Sequence, residues 1–151
     1  MDSIDRKIIA LLAEDARRSL TDIGDQIGLS ASATNERIRR LVASGAIRRF
    51  TLDADPTALG VPVLAFVCVA LAPDADEAAF RAFAADHPAI EEAHHVTGGW
   101  SYMVKVRVPS LPDLEAFLAE LKARKFLARS ETIMALSSAA EATYTPKAPK
   151  P

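Results

Sequence analysis

Apolar positions recur at helical spacing over roughly the first fifty residues and at strand spacing through much of the rest. Ile4, Ile8, Leu11 and Leu12 share one face of a helix that Ser3 can cap and that should end near Ala16. Ser19 is a second capping residue, with Asp22 three positions on. Leu20, Ile23 and Ile27 line a short helix that Gly28 closes. Ser30 opens a third helix, which runs to about Ser44 and stops at Gly45. Two short helices across a tight glycine turn make a helix-turn-helix. On a wheel at about 100° per residue, Thr34, Ile38, Leu41 and Val42 of the third helix face inward. Ser32, Glu36, Arg39, Arg40 and Ala43 lie opposite, with Asn35 and Arg37 on the shoulders. Residues 47–52 alternate enough to form a strand, either a wing or a link.

The pattern changes after DADPTALGVP, a run of turn formers without periodicity that reads as a hinge over 53–60. Residues 61–71 form a buried strand and 74–86 a helix. Residues 90–97 form a second strand, and Gly98-Gly99 turn the chain. Tyr102, Val104, Val106 and Val108 alternate with Met103, Lys105 and Arg107 in a half-buried strand. Leu114, Phe117, Leu118 and Leu121 mark another helix, and 131–138 a last strand. The order β-α-β-β-α-β is the ferredoxin-like split, so the fold class is α+β. Such a sheet carries its helices on one face. The other face holds Met103, Lys105 and Met134, and a second copy of the chain is the simplest cover for it. The expected domains are 1–52, a 53–60 hinge, 61–140 and a flexible proline-rich tail over 141–151.

Charge sharpens this picture. The chain has 151 residues and a formal net charge of −2. Residues 1–52 hold nine Lys/Arg against seven Asp/Glu, and 53–151 hold nine against thirteen, so a basic head precedes an acidic body. Five arginines and no acid fall between Arg37 and Phe50. Short polar residues early in the third helix and guanidinium groups later suit a helix that enters the major groove of double-stranded DNA. The candidate DNA contacts are Ser30, Ser32, Asn35, Glu36, Arg37, Arg39 and Arg40. Ser32 and Asn35 are placed to read bases, and the arginines to hold phosphates. The competing reading is a ligand-binding or assembly module without sequence-specific DNA binding.

No apolar run is long enough to span a bilayer, MDSIDRK lacks a signal-peptide layout, and one cysteine excludes an internal disulfide framework, so a cytoplasmic protein is expected. Cys68 reads as a buried structural thiol. His94 and His95 are strand neighbours that point to opposite faces and cannot chelate one ion. Glu91 and Glu92 read as a solvated edge. Gly98-Gly99 lacks the Lys-Ser/Thr and helix of a phosphate loop. No catalytic constellation stands out, and neither metal nor cofactor is expected.

The segments IDRKIIALLAEDAR, LSASATNERIRRLVASGAI and VTGGWSYMVKVRVP together resemble the leucine-responsive/asparagine regulator family, Lrp/AsnC, over residues 2 to about 140. The resemblance implies a transcriptional regulator of amino-acid or related small-molecule metabolism or transport. It also implies a second domain that senses a small ligand and builds homodimers, which assemble to tetramers or octamers. The sensing residues it implies are Thr97, Gly98, Gly99, Trp100, Ser101 and Tyr102, with Thr132 and Met134 of the last strand. The family loop usually reads V-S-G-x-x-D-Y, often with an acid just after the glycine, but here Gly99 and Ser101 stand where carboxylates are common. Such an acid suits the ammonium of an amino acid. Without it, either Trp100 and the glycines admit a flat or bulkier ligand, or the loop is silent. Trp100 could equally serve an interface. The expected effector is an organic acid whose amine is absent or held elsewhere, or an amino acid with a large aromatic or apolar side chain.

Overall fold

A computed structural model describes residues 1–140 and 143–147. The chain forms two compact units, Met1–Thr51 and a second that begins at Leu52.

The first unit holds α1 (Ser3–Glu14), α2 (Leu20–Ile27) and α3 (Ala31–Ala43). Asp2, not Ser3, caps α1. Its carboxylate accepts the Asp5 amide at 2.8 Å, and the Asp5 carboxylate accepts the Asp2 amide at 3.1 Å. This reciprocal pair satisfies two N-terminal amides at once, which Ser3 could not do. Ser19 and Ser30 cap α2 and α3 as expected, and Gly28 ends α2 in the left-handed conformation, φ 72°. Ile8, Leu11, Ile23 and Leu41 form the core, with Ile4, Leu12, Ile27, Ile38 and Ile47 against it. Val42, expected inside, is 44% exposed. Among the described residues, 47–52 form a link rather than a wing strand, and the Ile47 amide folds back to the Leu41 carbonyl at 3.0 Å.

The second unit holds β1 (Val63–Leu71), α4 (Glu77–Asp86), β2 (Ile90–His95), β3 (Tyr102–Val108), α5 (Leu111–Ala123) and β4 (Leu127–Met134). The sheet is antiparallel in the order β2-β3-β1-β4. Ala65, Val67, Val69, Val104 and Val106 bury one sheet face against Phe80, Phe83, Leu114, Phe117 and Leu121 of the helices. β4 begins four residues earlier than the alternation suggests. Lys125, at φ 57°, turns the chain after α5, and Phe126 enters the core, so pairing starts at Leu127.

The register decides what the open sheet face carries. Met134 lies opposite Ala65, which points to the helices, so it is not on the open face. Ile133, opposite Phe66, takes that place. It is 51% exposed beside Met103 at 43%. A bulge between Ile90 and Glu92 breaks the alternation of β2. Glu91 is therefore not a solvated edge residue: it pairs with Lys105 at 2.7 Å and Arg107 at 2.5 Å and is largely buried. Cys68 is buried, and His94 reaches Glu92 while the His95 ring packs tilted against Tyr102.

The segment expected as a hinge is turned, with the Thr57 amide on the Asp55 carboxylate and the Val61 amide on the Pro56 carbonyl. Part of the expected flexible tail makes definite contacts. The Tyr144 amide donates to the Asp53 carboxylate at 2.8 Å, and the Ala54 amide to the Tyr144 carbonyl at 2.9 Å. Lys147 places its ammonium on the Ala85 and His87 carbonyls, both at 3.0 Å, at the C-terminal end of α4. Residues 141, 142 and 148–151 of that tail lie outside the described residues.

Candidate functional site

The surface that α3 presents is built from its contact with α2. Thr34 is fully buried, and an added Cβ at Gly24 of α2 would lie 3.2 Å from its hydroxyl oxygen and 2.4 Å from the Leu29 carbonyl oxygen. Only a residue without a side chain lets α2, the turn and α3 approach so closely. With Thr34 and Leu41 inward, Ser32, Asn35, Glu36, Arg39 and Arg40 are exposed. Ser30 spends its hydroxyl oxygen on the Ala33 amide at 3.2 Å, so its first role is the cap.

Arg37 departs from expectation. Its guanidinium binds the Asp2 carboxylate at 2.7 Å and the Asp5 carboxylate at 2.8 Å, and its side chain is 22% exposed. Its hydrogen bonds to these carboxylates raise the Arg37 pKa, Asp2 contributing most. Asp2 and Asp5 are both held below the ordinary carboxylate value, first by each other's backbone amide and then by Arg37. Arg37 therefore ties α3 to the start of α1 through both carboxylates. Arg39, Arg40, Arg48 and Arg49 are exposed and have no acidic partner among the described residues. Sequence reasoning missed Gly24, although a glycine inside LTDIGDQI, where it weakens a helix, was a readable sign of close packing.

The second candidate region is the β2–β3 loop. Gly98 takes φ 98°, and the backbone amides of Thr97, Gly98, Gly99 and Trp100 have no acceptor among the described residues. Ser101 is built into the sheet: its amide donates to the Val69 carbonyl at 2.8 Å, and its hydroxyl accepts the Leu71 amide at 3.0 Å beside the β1 bulge. Tyr102 is buried, with its hydroxyl donating to Glu77 at 2.6 Å. Burial first, and then that carboxylate, raise the Tyr102 pKa, while the Tyr102 hydroxyl and then Arg81 lower that of Glu77.

The β4 residue brought to the loop is Arg129, which sequence reasoning missed. Its guanidinium carbon lies 4.1 Å from the Trp100 ring centroid, and it donates to the Gly99 carbonyl at 2.7 Å. Thr132 and Met134 pair with Val67 and Ala65, further along β1 from the loop-bonded Val69. The structure thus groups Gly99, Trp100, Ser101 and Arg129, and leaves Tyr102 in the core.

A model of the AsnC-type helix-turn-helix domain matches residues 1–42, and one of the Lrp/AsnC ligand binding domain matches residues 64–145. The chain belongs to the Lrp/AsnC family. It is 35% identical over 147 residues to the HTH-type transcriptional regulator FL11 of Pyrococcus horikoshii, covering 97% of this chain and 96% of that one. It is 36% identical over 118 residues to the HTH-type transcriptional regulator LrpC of Bacillus subtilis, covering 78% and 81%. Among solved structures, an AsnC family transcriptional regulator from Agrobacterium tumefaciens superimposes with a TM-score of 0.86 at 27% identity, covering 99% of this chain and 97% of that one. This Lrp/AsnC protein is a DNA-binding transcriptional regulator with a ligand-binding domain. Among its described residues, no helix is long and apolar enough to cross a membrane.

Proposed function

We propose that this regulator docks on duplex DNA through the exposed side of α3, with Ser32 and Asn35 at base edges and Arg39, Arg40, Arg48 and Arg49 on phosphates. The observation that carries this reading is the contrast among the arginines. Arg37 is committed to two carboxylates, while the other four project from α3 and the segment after it without an acidic partner among the described residues. Unpaired guanidinium groups at the surface need no acid displaced before they meet phosphate. The test is an anisotropy titration of the full chain on duplex DNA from upstream of its own coding region, across a salt series. Arg40→Ala should weaken binding to every sequence and reduce the salt slope by about one. Asn35→Ala should relax sequence preference more than it lowers affinity.

The second unit is read as the assembly and sensing half. The open sheet face, with Met103 and Ile133 exposed, supports a homodimer at minimum, and family membership supports a larger even-numbered assembly. The loop over Thr97–Ser101, with its unpaired amides, is read as the effector edge. The regulated genes are read as those of amino-acid or related small-molecule metabolism. A ligand that changes DNA affinity in the same titration tests the sensing role.

A further inference from the structure

We propose that the β2–β3 loop and Arg129 form a receptor for a carboxylate carried on an apolar body, and that a free ammonium on the ligand weakens its binding. This rests on the reading of the loop as the effector edge and names the ligand class for it. The second unit contains four arginines. Arg81 holds Glu77, Arg107 holds Glu91 and Arg124 holds Glu120. Arg129 alone pairs with no carboxylate among the described residues. It lies instead across the Trp100 ring and gives one N–H to the Gly99 carbonyl.

A guanidinium has five N–H donors, and this contact uses one of them. Stacking and the Gly99 bond hold the group in one orientation before a ligand arrives, which lowers the entropic cost of using the remaining donors. The Thr97, Gly98, Gly99 and Trp100 amides of the same loop are unspent donors among the described residues. Gly99 leaves the guanidinium unhindered: an added Cβ there would stand 3.3 Å from an Arg129 terminal nitrogen, which would have to yield by a few tenths of an ångström. Ser101 brings no charge and already accepts the Leu71 amide. Glu131, two residues along β4 and on the same open face by register, does not pair with Arg129. The charge fixed at the loop is therefore positive, and Trp100 supplies apolar surface next to it.

Trp100 is the only tryptophan in the chain, so its emission reports on this site directly. Three probes of matched shape separate the charges: 4-methylpentanoate, L-leucine and 4-methylpentylamine, titrated into the full-length protein with DNA affinity measured in parallel. The acid should give a saturable change in emission and bind about tenfold or more tighter than L-leucine, as one uncompensated charged hydrogen bond is worth. The amine should not compete with it. Arg129→Gln should remove acid binding, Arg129→Lys should retain part of it, and Gly99→Asp should abolish it by occupying Arg129. Circular dichroism of each variant checks that it is folded. Tighter binding of L-leucine than of the acid, or acid affinity unchanged in folded Arg129→Gln, overturns the proposal and leaves a sensing loop in place. No response in emission or DNA affinity to any of the three overturns both.

Discussion

Gly24→Ala adds one methyl group to α2 and should loosen the whole DNA-contacting unit. The new Cβ would lie 2.4 Å from the Leu29 carbonyl oxygen, about 1 Å inside an ordinary contact. That oxygen belongs to backbone in the turn, which the Leu29 amide ties to the Gly24 carbonyl at 3.0 Å, so no flexible side chain can swing aside. Overpacking of this kind costs about 1–3 kcal/mol, and the absence of an easy escape puts it in the upper half of that range. Alanine returns about 1 kcal/mol through its higher helix propensity. The net is a loss of about 1–2 kcal/mol, against a total of roughly 3–8 kcal/mol for a unit of this size. Hydrogen exchange followed on peptides of α2 and α3 reads this as about 5–30-fold faster exchange of their slowest amides. Gly28→Ala is the informative comparison. Nothing lies within 4 Å of its added Cβ, and only φ 72° opposes it, so Gly28→Asn should recover most of the loss that alanine causes there. Asparagine at position 24 should instead be worse than alanine. Unchanged or slower exchange in Gly24→Ala would refute the view that space, not conformation, selects this glycine.

Three further outcomes are expected. Arg39→Ala and Arg40→Ala should each lower DNA affinity without changing the thermal stability of the first unit, whereas Arg37→Gln should lower that stability; equal melting temperatures for all three would remove the clamp. The pKa values of Asp2 and Asp5 are lowered in the folded state, so their contribution is complete above the ordinary carboxylate value of about 3.9 and is lost as pH falls through their lowered values. The stability gap between wild type and Arg37→Gln, read by thermal melts across an acid series, should close over that window. Ile133→Asp should reduce the assembled mass of the full chain in sedimentation, and an unchanged mass would move the contact away from the open sheet face.

The boundaries of α2 and the start of α3 were readable because capping is local: Ser19, Gly28 and Ser30 each act on residues within a few positions. The role of Arg37 was not, since its partners Asp2 and Asp5 stand 35 and 32 residues away, and a wheel shows only which side an arginine occupies. The β-α-β-β-α-β order was readable from alternation, but its details turned on single irregularities. One left-handed Lys125 sets the start of β4, and one bulge puts Glu91 with Lys105 and Arg107. The family resemblance implied Ser101 and Tyr102 as sensing residues; that the first accepts the Leu71 amide and the second is buried is set by the sheet and core and is not visible in a motif. Arg129 depends on the register of β4 against β1 and on a contact across the sheet end, and neither leaves a mark in nearby residues.

The contact of Tyr144 with Asp53 and Ala54 makes the second unit a closed circuit. Its entry and exit strands of backbone are latched to each other, so every element from β1 to β4 lies inside a loop whose two ends meet. Lys147 fastens the outgoing end a second time, onto the last carbonyls of α4. A cut or extension near residue 143 therefore acts at the beginning of the unit as well as at its end. The natural place to open this chain for a permuted or tagged variant is not its C-terminal side but an exposed turn within the circuit.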